Sequence, residues 1–228
     1  MLPHGEDQLE RTVNIPAGRV QLEGNLGVPE HARGIVVFAH GSGSSRFSSR
    51  NRYVARILRD AELGTLLLDL LSSQEEQIDA VTRQHRFDIG LLALRLVHTI
   101  DWLEKQPDTT GLGIGLFGAS TGGGAALVAA SQRPTAVNAV VSRGGRPDLA
   151  GAALPAVRCP TLLVVGERDE PVIELNEQAR RAMKADVKLV IVPRATHLFE
   201  EPGALEQVAA LAREWFTTHL HADAGTRH

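Results

Sequence analysis

The sequence predicts an α/β fold: a mixed, mostly parallel sheet with helices on both faces and no large cap domain. Six short apolar runs recur along the 228 residues, each followed by a turn and a helical pattern. Parallel strands buried on both faces read this way, as continuous apolar stretches rather than alternating ones. Two strand-like segments precede the first run and add an antiparallel edge. The chain contains no low-complexity linker, no internal repeat and no insertion long enough to fold as a separate lid.

Taken in order, Arg11 to Ile15 and Val20 to Gly27 read as strands joined by a turn at Pro16 to Gly18. Ile35 to Ala39 is the first buried strand and Asn51 to Glu62 the first helix. Thr65 to Leu70 follows, and then a polar excursion from Leu71 to His85, rich in Ser, Gln and Glu, which reads as a loop or short helix near the strand ends. From Arg86 to Lys105, Ile89, Leu92, Ala93, Leu96, Ile100 and Leu103 recur at spacings of three and four, the apolar stripe of a helix that packs on the sheet. The remaining strands are Leu112 to Phe117, Val137 to Val141, Leu162 to Val165 and Lys188 to Val192. Gly122 to Gln132, Ile173 to Lys184 and Ala204 to His219 supply the remaining helices.

Composition narrows the class. Hydrophobic residues make up 43% of the chain, enough for a full core, so residues 1–220 are expected to form one domain and 221–228 a disordered tail. A net charge of -3 gives no electrostatic reason to expect nucleic acid, which leaves small molecules as the expected partners. Cys159 is the single cysteine, so no internal disulfide or multi-cysteine zinc site can form, and a metal is not expected. The first residues do not read as a secretory signal and no apolar stretch is long enough to span a membrane, so a cytoplasmic location is expected. The oligomeric state cannot be read from the chain.

The chemistry is concentrated at strand ends. Leu112 to Phe117 runs into Gly118-Ala119-Ser120-Thr121-Gly122 and then an alanine-rich helix, which is Gly-x-Ser-x-Gly in the strand, turn, helix setting that gives the motif its meaning. A serine at so sharp a turn is pushed into the cleft, with helix N–H groups aimed at the same point. The alternatives are a turn that only permits tight packing, or one that holds a phosphate at the helix start. A serine hydroxyl needs a base to attack near neutral pH, so a histidine and an acid are sought downstream. Gly166-Glu167-Arg168-Asp169-Glu170 follows a strand, and Asp169 is the candidate acid, with Glu167 and Glu170 as rivals and an N-cap role as the alternative. Among nine histidines, His197 alone lies on a strand-end loop after the acid, and it is the candidate base. His40, in His40-Gly41-Ser42-Gly43, is read as a brace for its loop. The backbone N–H groups of Ser42 and Thr121 are expected to form an oxyanion hole.

With these residues in view, the chain resembles the α/β-hydrolase superfamily, and within it the dienelactone-hydrolase-like branch. The resemblance runs from Val20 to Leu220 and rests on the His40, Ser120, Asp169 and His197 motifs appearing in order. It implies an α/β-hydrolase fold with an eight-stranded sheet, no cofactor, and an acyl-enzyme on the serine released by water. Dienelactone hydrolases proper use a cysteine nucleophile. Ser120 here is similar to the esterase members, and Cys159 reads as a buried small hydrophobe. The expected function is therefore a serine hydrolase acting on a small ester or lactone. An acyltransferase, a carbon–carbon bond hydrolase on the same triad, and a catalytically silent binding module are the alternatives. Arg143 and Arg146 follow a strand at the same edge and are candidates to pair with a substrate carboxylate, or else bridge surface carboxylates or loop carbonyls; Arg46, Arg50 and Arg52 invite the same two readings.

Overall fold

The apolar runs become strands in register. A computed structural model describes residues 10–221; the remainder of the expected tail, from residue 222, lies outside the described residues. The strands are β1 (Glu10–Ala17), β2 (Val20–Gly27), β3 (Gly34–Ala39), β4 (Gly64–Leu68), β5 (Gly113–Ala119), β6 (Val137–Arg143), β7 (Thr161–Gly166) and β8 (Val187–Val192). They form an eight-stranded sheet in the order β1-β2-β4-β3-β5-β6-β7-β8. β1 pairs with β2, and β2 with β4, antiparallel. All other pairs are parallel, so the sheet is mixed, as expected, and the fold is that of an α/β-hydrolase.

Among the described residues six α-helices cover it: α1 (Ser49–Arg59), α2 (Ser73–Thr82), α3 (Ile89–Leu103), α4 (Thr121–Gln132), α5 (Glu170–Ala182) and α6 (Ala204–His219). Successive side chains of a strand point to opposite faces. On β3, Ile35, Val37 and Ala39 accordingly enter the core shared with Leu96 and Ile100 of α3 and Ala126 and Ala130 of α4. Val36 and Phe38 enter the other core, with Val54 and Leu58 of α1 and Val208 and Phe216 of α6. All six β3 residues are buried, which explains why its run shows no polar alternation. Each large side chain sealed this way contributes about 2 kcal/mol of apolar transfer. No helix among the described residues is long and apolar enough to cross a membrane.

Two local readings change and an open one is decided. Pro16 belongs to β1, opposite Gln21, and the turn is Gly18-Arg19 with Gly18 at φ 71°. A proline lacks the N–H of a ladder bond, and β1 is an edge strand where that loss is tolerated. The 71–85 excursion contains α2, whose N-terminus is closed by a capping box between Ser72 and Glu75. A 3-10 segment over Pro147–Ala156, which sequence periodicity did not suggest, follows β6 and tucks Ala150 and Leu154 into the α3–α4 core. Pro155 and the break at Gly151, φ 47°, keep it from becoming a regular helix. Because β3, β5, β6, β7 and β8 are parallel, the loops after them emerge at one edge of the sheet, and that edge carries the site.

Candidate active site

Ser120 stands between β5 and α4 with φ 51° and ψ -122°, a strained conformation for a residue with a side chain. Neighbouring backbone holds it there. A Cβ on Gly118 would lie 2.5 Å from the Gly122 carbonyl oxygen, and one on Gly122 would run into the carbonyl oxygen of Ala39. Only glycine lets β5, α4 and the end of β3 approach this closely. The Ser120 N–H donates to the Arg143 carbonyl at 3.3 Å, and the Ser120 carbonyl accepts from Gly123 and Arg146 at 3.0 Å each. The side chain caps nothing, which leaves its hydroxyl free.

Asp169 occupies the N-cap position of α5 but makes no capping bond. Its Oδ2 instead accepts from His197 Nδ1 at 2.6 Å, across 28 residues of sequence. The carboxylate is 14% exposed and the imidazole 38%, so the acid is covered while the ring is partly open to solvent. With Nδ1 donating, Nε2 of the neutral ring is left as the acceptor. The loop carrying His197 is bent by left-handed residues on both sides, Arg194 at φ 62° and Phe199 at φ 56°. Buried Phe199 anchors it. Two glutamates brace it: Glu167 accepts from the Arg194 N–H at 2.6 Å and Glu201 from the Thr196 N–H at 3.0 Å. Glu167 is thus occupied as a loop brace, and Glu170 lies exposed in the first turn of α5.

Ser120 and His197 border the same turn after β6. A Cβ on Gly144 would lie 3.5 Å from His197 Cε1, while the flanking Arg143 and Arg146 hold the Ser120 backbone. No hydrogen bond joins Ser120 Oγ to His197 Nε2 in this structure. Nucleophile–base bonds are often long without substrate and tighten when it binds.

On the opposite side of Ser120 lies the 40–46 loop. The Ser42 N–H is not open, as the sequence reading had it: it donates to Thr121 Oγ1 at 3.0 Å. The Thr121 N–H, at the first position of α4, has no partner among the described residues. His40 Nδ1 donates to the Gly41 carbonyl at 2.9 Å, and Nε2 accepts from the Leu70 N–H at 3.1 Å. Burial pushes its pKa below the usual imidazole range, against the Gly41 bond and the nearby Asp69 and Glu76 carboxylates, and so keeps the ring neutral. Arg46 ties the same loop to Asp69 and Glu23. Between this loop and α2 lies a cavity of about 340 Å³ bordered by Ser42, Gly43, Leu71, Asp79, Arg86 and Thr121.

The arginines divide. Arg146 is held by Asp148 through two bonds of 2.8 and 2.7 Å, Arg50 by Glu200 at 3.0 Å, and Arg52 is exposed on α1. Arg143 is different. It is 8% exposed, and its Nε and Nη1 are sealed from solvent without a partner. Burial, helped by the nearby Arg50 charge, lowers its pKa to about 10. Cys159 is buried, with a thiol pushed up to about 11 by burial, too poorly ionised to act as a nucleophile. Sequence reading missed Glu201 and Asn176, whose amide holds the Gly145 carbonyl at 3.0 Å from below the turn. Nothing local distinguishes either from a surface or helix polar residue. Among the described residues no cluster of histidine, cysteine or carboxylate side chains is arranged to hold a metal.

The model of the dienelactone hydrolase family matches residues 22–220. The crystal structure of a dienelactone hydrolase from Anabaena variabilis is similar, at 62% identity and a TM-score of 0.92, covering 93% of this chain and 98% of that one. Est1E from Butyrivibrio proteoclasticus shares the fold at 17% identity and a TM-score of 0.75, over 91% of this chain and 98% of its own. A Mycobacterium tuberculosis protein named "Putative phosphoribosyl transferase" is 58% identical over 211 residues, 92% of this chain but 47% of that protein. The chain therefore spans about half the length of the curated relatives it matches.

Proposed function

The chain belongs to the dienelactone hydrolase family, and from that premise we propose that it is a serine hydrolase that opens a small carboxylic ester or lactone through an acyl-enzyme on Ser120. The observation that carries this reading is the 2.6 Å bond from His197 to Asp169, made at the same strand-end edge as a serine in a strained turn. A carboxylate that abandons its helix cap to hold an imidazole supports an orienting role. The transferase name of the mycobacterial relative describes a protein about twice this length and is not carried over.

In the proposed mechanism Ser120 Oγ adds to the carbonyl carbon while His197 Nε2 takes its proton. Asp169 steadies the imidazolium. The carbonyl π pair moves to oxygen, where donors at the head of α4 stabilise it. Collapse expels the alkoxide, which takes the proton from His197, and water then repeats the sequence to release the acid and restore Ser120. No cofactor enters these steps. Arg143 is proposed to hold a carboxylate elsewhere on the substrate: a nearly buried guanidinium without a counter-charge is costly to retain, and Nη2, which is not among its sealed nitrogens, is where an anion would meet it. Arg146 has its carboxylate already and drops out.

The test is labelling with a fluorophosphonate and hydrolysis of p-nitrophenyl acetate. One equivalent should attach at Ser120, and Ser120→Ala should lose about a thousandfold or more in kcat. A folded protein that is unlabelled, or an alanine variant that keeps its rate, would overturn the reading and favour a binding module.

A further inference from the structure

The Thr121 side chain raises a question that the proposed mechanism leaves open. Its hydroxyl accepts the Ser42 N–H at 3.0 Å, and the residue, next to Ser120 in the chain, is 4% exposed. A threonine hydroxyl offers one donor beside its acceptor lone pairs. Among the described residues Thr121 Oγ1 donates to nothing: it makes no bond back to a carbonyl and none to another side chain. The residue borders the 340 Å³ cavity together with Ser42, and the loop that carries Ser42 passes beside the nucleophile, since a Cβ on Gly41 would lie 3.1 Å from Ser120 Cβ. The N–H of the same residue is also free, at the N-terminus of α4, where the helix leaves its first donors unsatisfied.

We propose that the Thr121 hydroxyl is itself a donor of the oxyanion hole, paired with its own backbone N–H, and that the Ser42 N–H acts through it. The inference rests on the serine hydrolase reading above. As Ser120 Oγ bonds to the carbonyl carbon and its proton passes to His197, the π pair shifts onto the carbonyl oxygen. That oxygen accepts two hydrogen bonds from Thr121, one from N–H and one from O–H. No proton leaves Thr121. The Ser42 N–H, by donating to Oγ1, polarises the hydroxyl and makes it a better donor, as successive hydrogen bonds do. Ser42 is then a positioning residue, and Thr121 a catalytic one. The competing arrangement has the hydroxyl as a plug: substrate displaces it and the Ser42 N–H binds the oxyanion directly.

Thr121→Val and Thr121→Ser separate these, with Ser120→Ala as control. Valine matches threonine in shape but lacks the hydroxyl, and serine keeps the hydroxyl without the methyl group. On p-nitrophenyl acetate, Thr121→Val should lose about a hundredfold in kcat with KM little changed, the usual effect of removing one oxyanion donor. Fluorophosphonate labelling should slow in parallel, because the phosphoryl oxygen occupies the same hole. Thr121→Ser should recover to within a few-fold of the parent. A Thr121→Val enzyme as fast as the parent or faster would overturn the proposal in favour of the plug. Equal losses in Thr121→Val and Thr121→Ser would also overturn it, since methyl packing would then be the cause. If Thr121→Val fails to fold, Thr121→Ala carries the same comparison. Loss of activity in Ser120→Ala with no effect at Thr121 sinks this inference alone, whereas an unlabelled parent sinks it together with the serine hydrolase reading.

Discussion

At the scale of single residues, the site depends on side chains whose hydrogen bonds are spoken for in one direction only. His40 is the clearest. Neutral, it donates to Gly41 and accepts from Leu70, and so links the 40–46 loop to the end of β4. Burial depresses its pKa relative to the unfolded chain, so the unfolded state takes up a proton first as pH falls. The stabilisation is fully present above the unfolded value and is lost as pH drops through it toward the lower folded value. Between about pH 7.5 and about pH 5.5 the parent should therefore lose more stability than His40→Gln, as read from urea midpoints. Parallel losses would remove His40 from the account. Ser120, Asp169 and His197 were all legible as residues, because each follows an apolar strand in a recognisable motif. Asp169 was read as the acid for His197, with an N-cap as the alternative. Both an N-cap and an imidazole brace suit an aspartate at that position, and only the placement of a histidine 28 residues on decides between them.

At the scale of elements, α2 and the turn after it shape the cavity. Asp79 closes the segment by accepting from the His85 N–H at 2.7 Å, the Arg86 N–H at 3.0 Å and Arg86 Nε at 2.6 Å. Burial opposes its ionisation, but those N–H groups and the Arg86 guanidinium outweigh burial and hold the carboxyl below its ordinary range. Asp79→Asn should loosen α2 over the cavity. KM for an ester reaching into that space should rise several-fold while kcat stays close to the parent, and an unchanged KM would show that the substrate does not use this cavity. The Ser72–Glu75 capping box that starts α2 is a sequence-level signal, yet the helix behind it buries only Asp79. With no apolar stripe to read, the 71–85 stretch was as consistent with a loop. The 3-10 segment after β6 was harder still, since Gly151 and Pro155 erase any helical period. Long strands and helices with a buried face were recovered within a few residues of their ends, because burial writes a period into the sequence.

At the scale of the whole molecule, the burial of Arg143 sets a cost in stability against the substrate role proposed for it. The rest of the sheet edge is balanced: Arg46 with Asp69 and Glu23, Arg50 with Glu200, Arg146 with Asp148. Arg143 alone among these is enclosed without a counter-charge. Replacing it by methionine should stabilise the fold by about 1 kcal/mol or more in denaturant titration, because a buried unpaired charge is exchanged for apolar packing. The same variant should lose about tenfold to a hundredfold in kcat/KM on esters bearing a second carboxylate, with little change on neutral ones. Equal effects on both would mean that Arg143 serves the fold and not the substrate.

Read alone, the chain determined the sheet, its helices, the edge at which chemistry gathers and the residue types found there. These follow from local rules: burial sets periodicity, and crowding admits only glycine at Gly118 and Gly122. Tertiary structure decided who pairs with whom. That Asp169 turns from its helix to His197, that Thr121 intercepts the Ser42 N–H, and that Arg143 is enclosed without a carboxylate depend on where distant segments come to rest, whereas Arg146 meets Asp148 two residues along the chain. A hydrogen bond is directional and short-ranged, so its partner is fixed only once packing has brought the two atoms within about 3 Å.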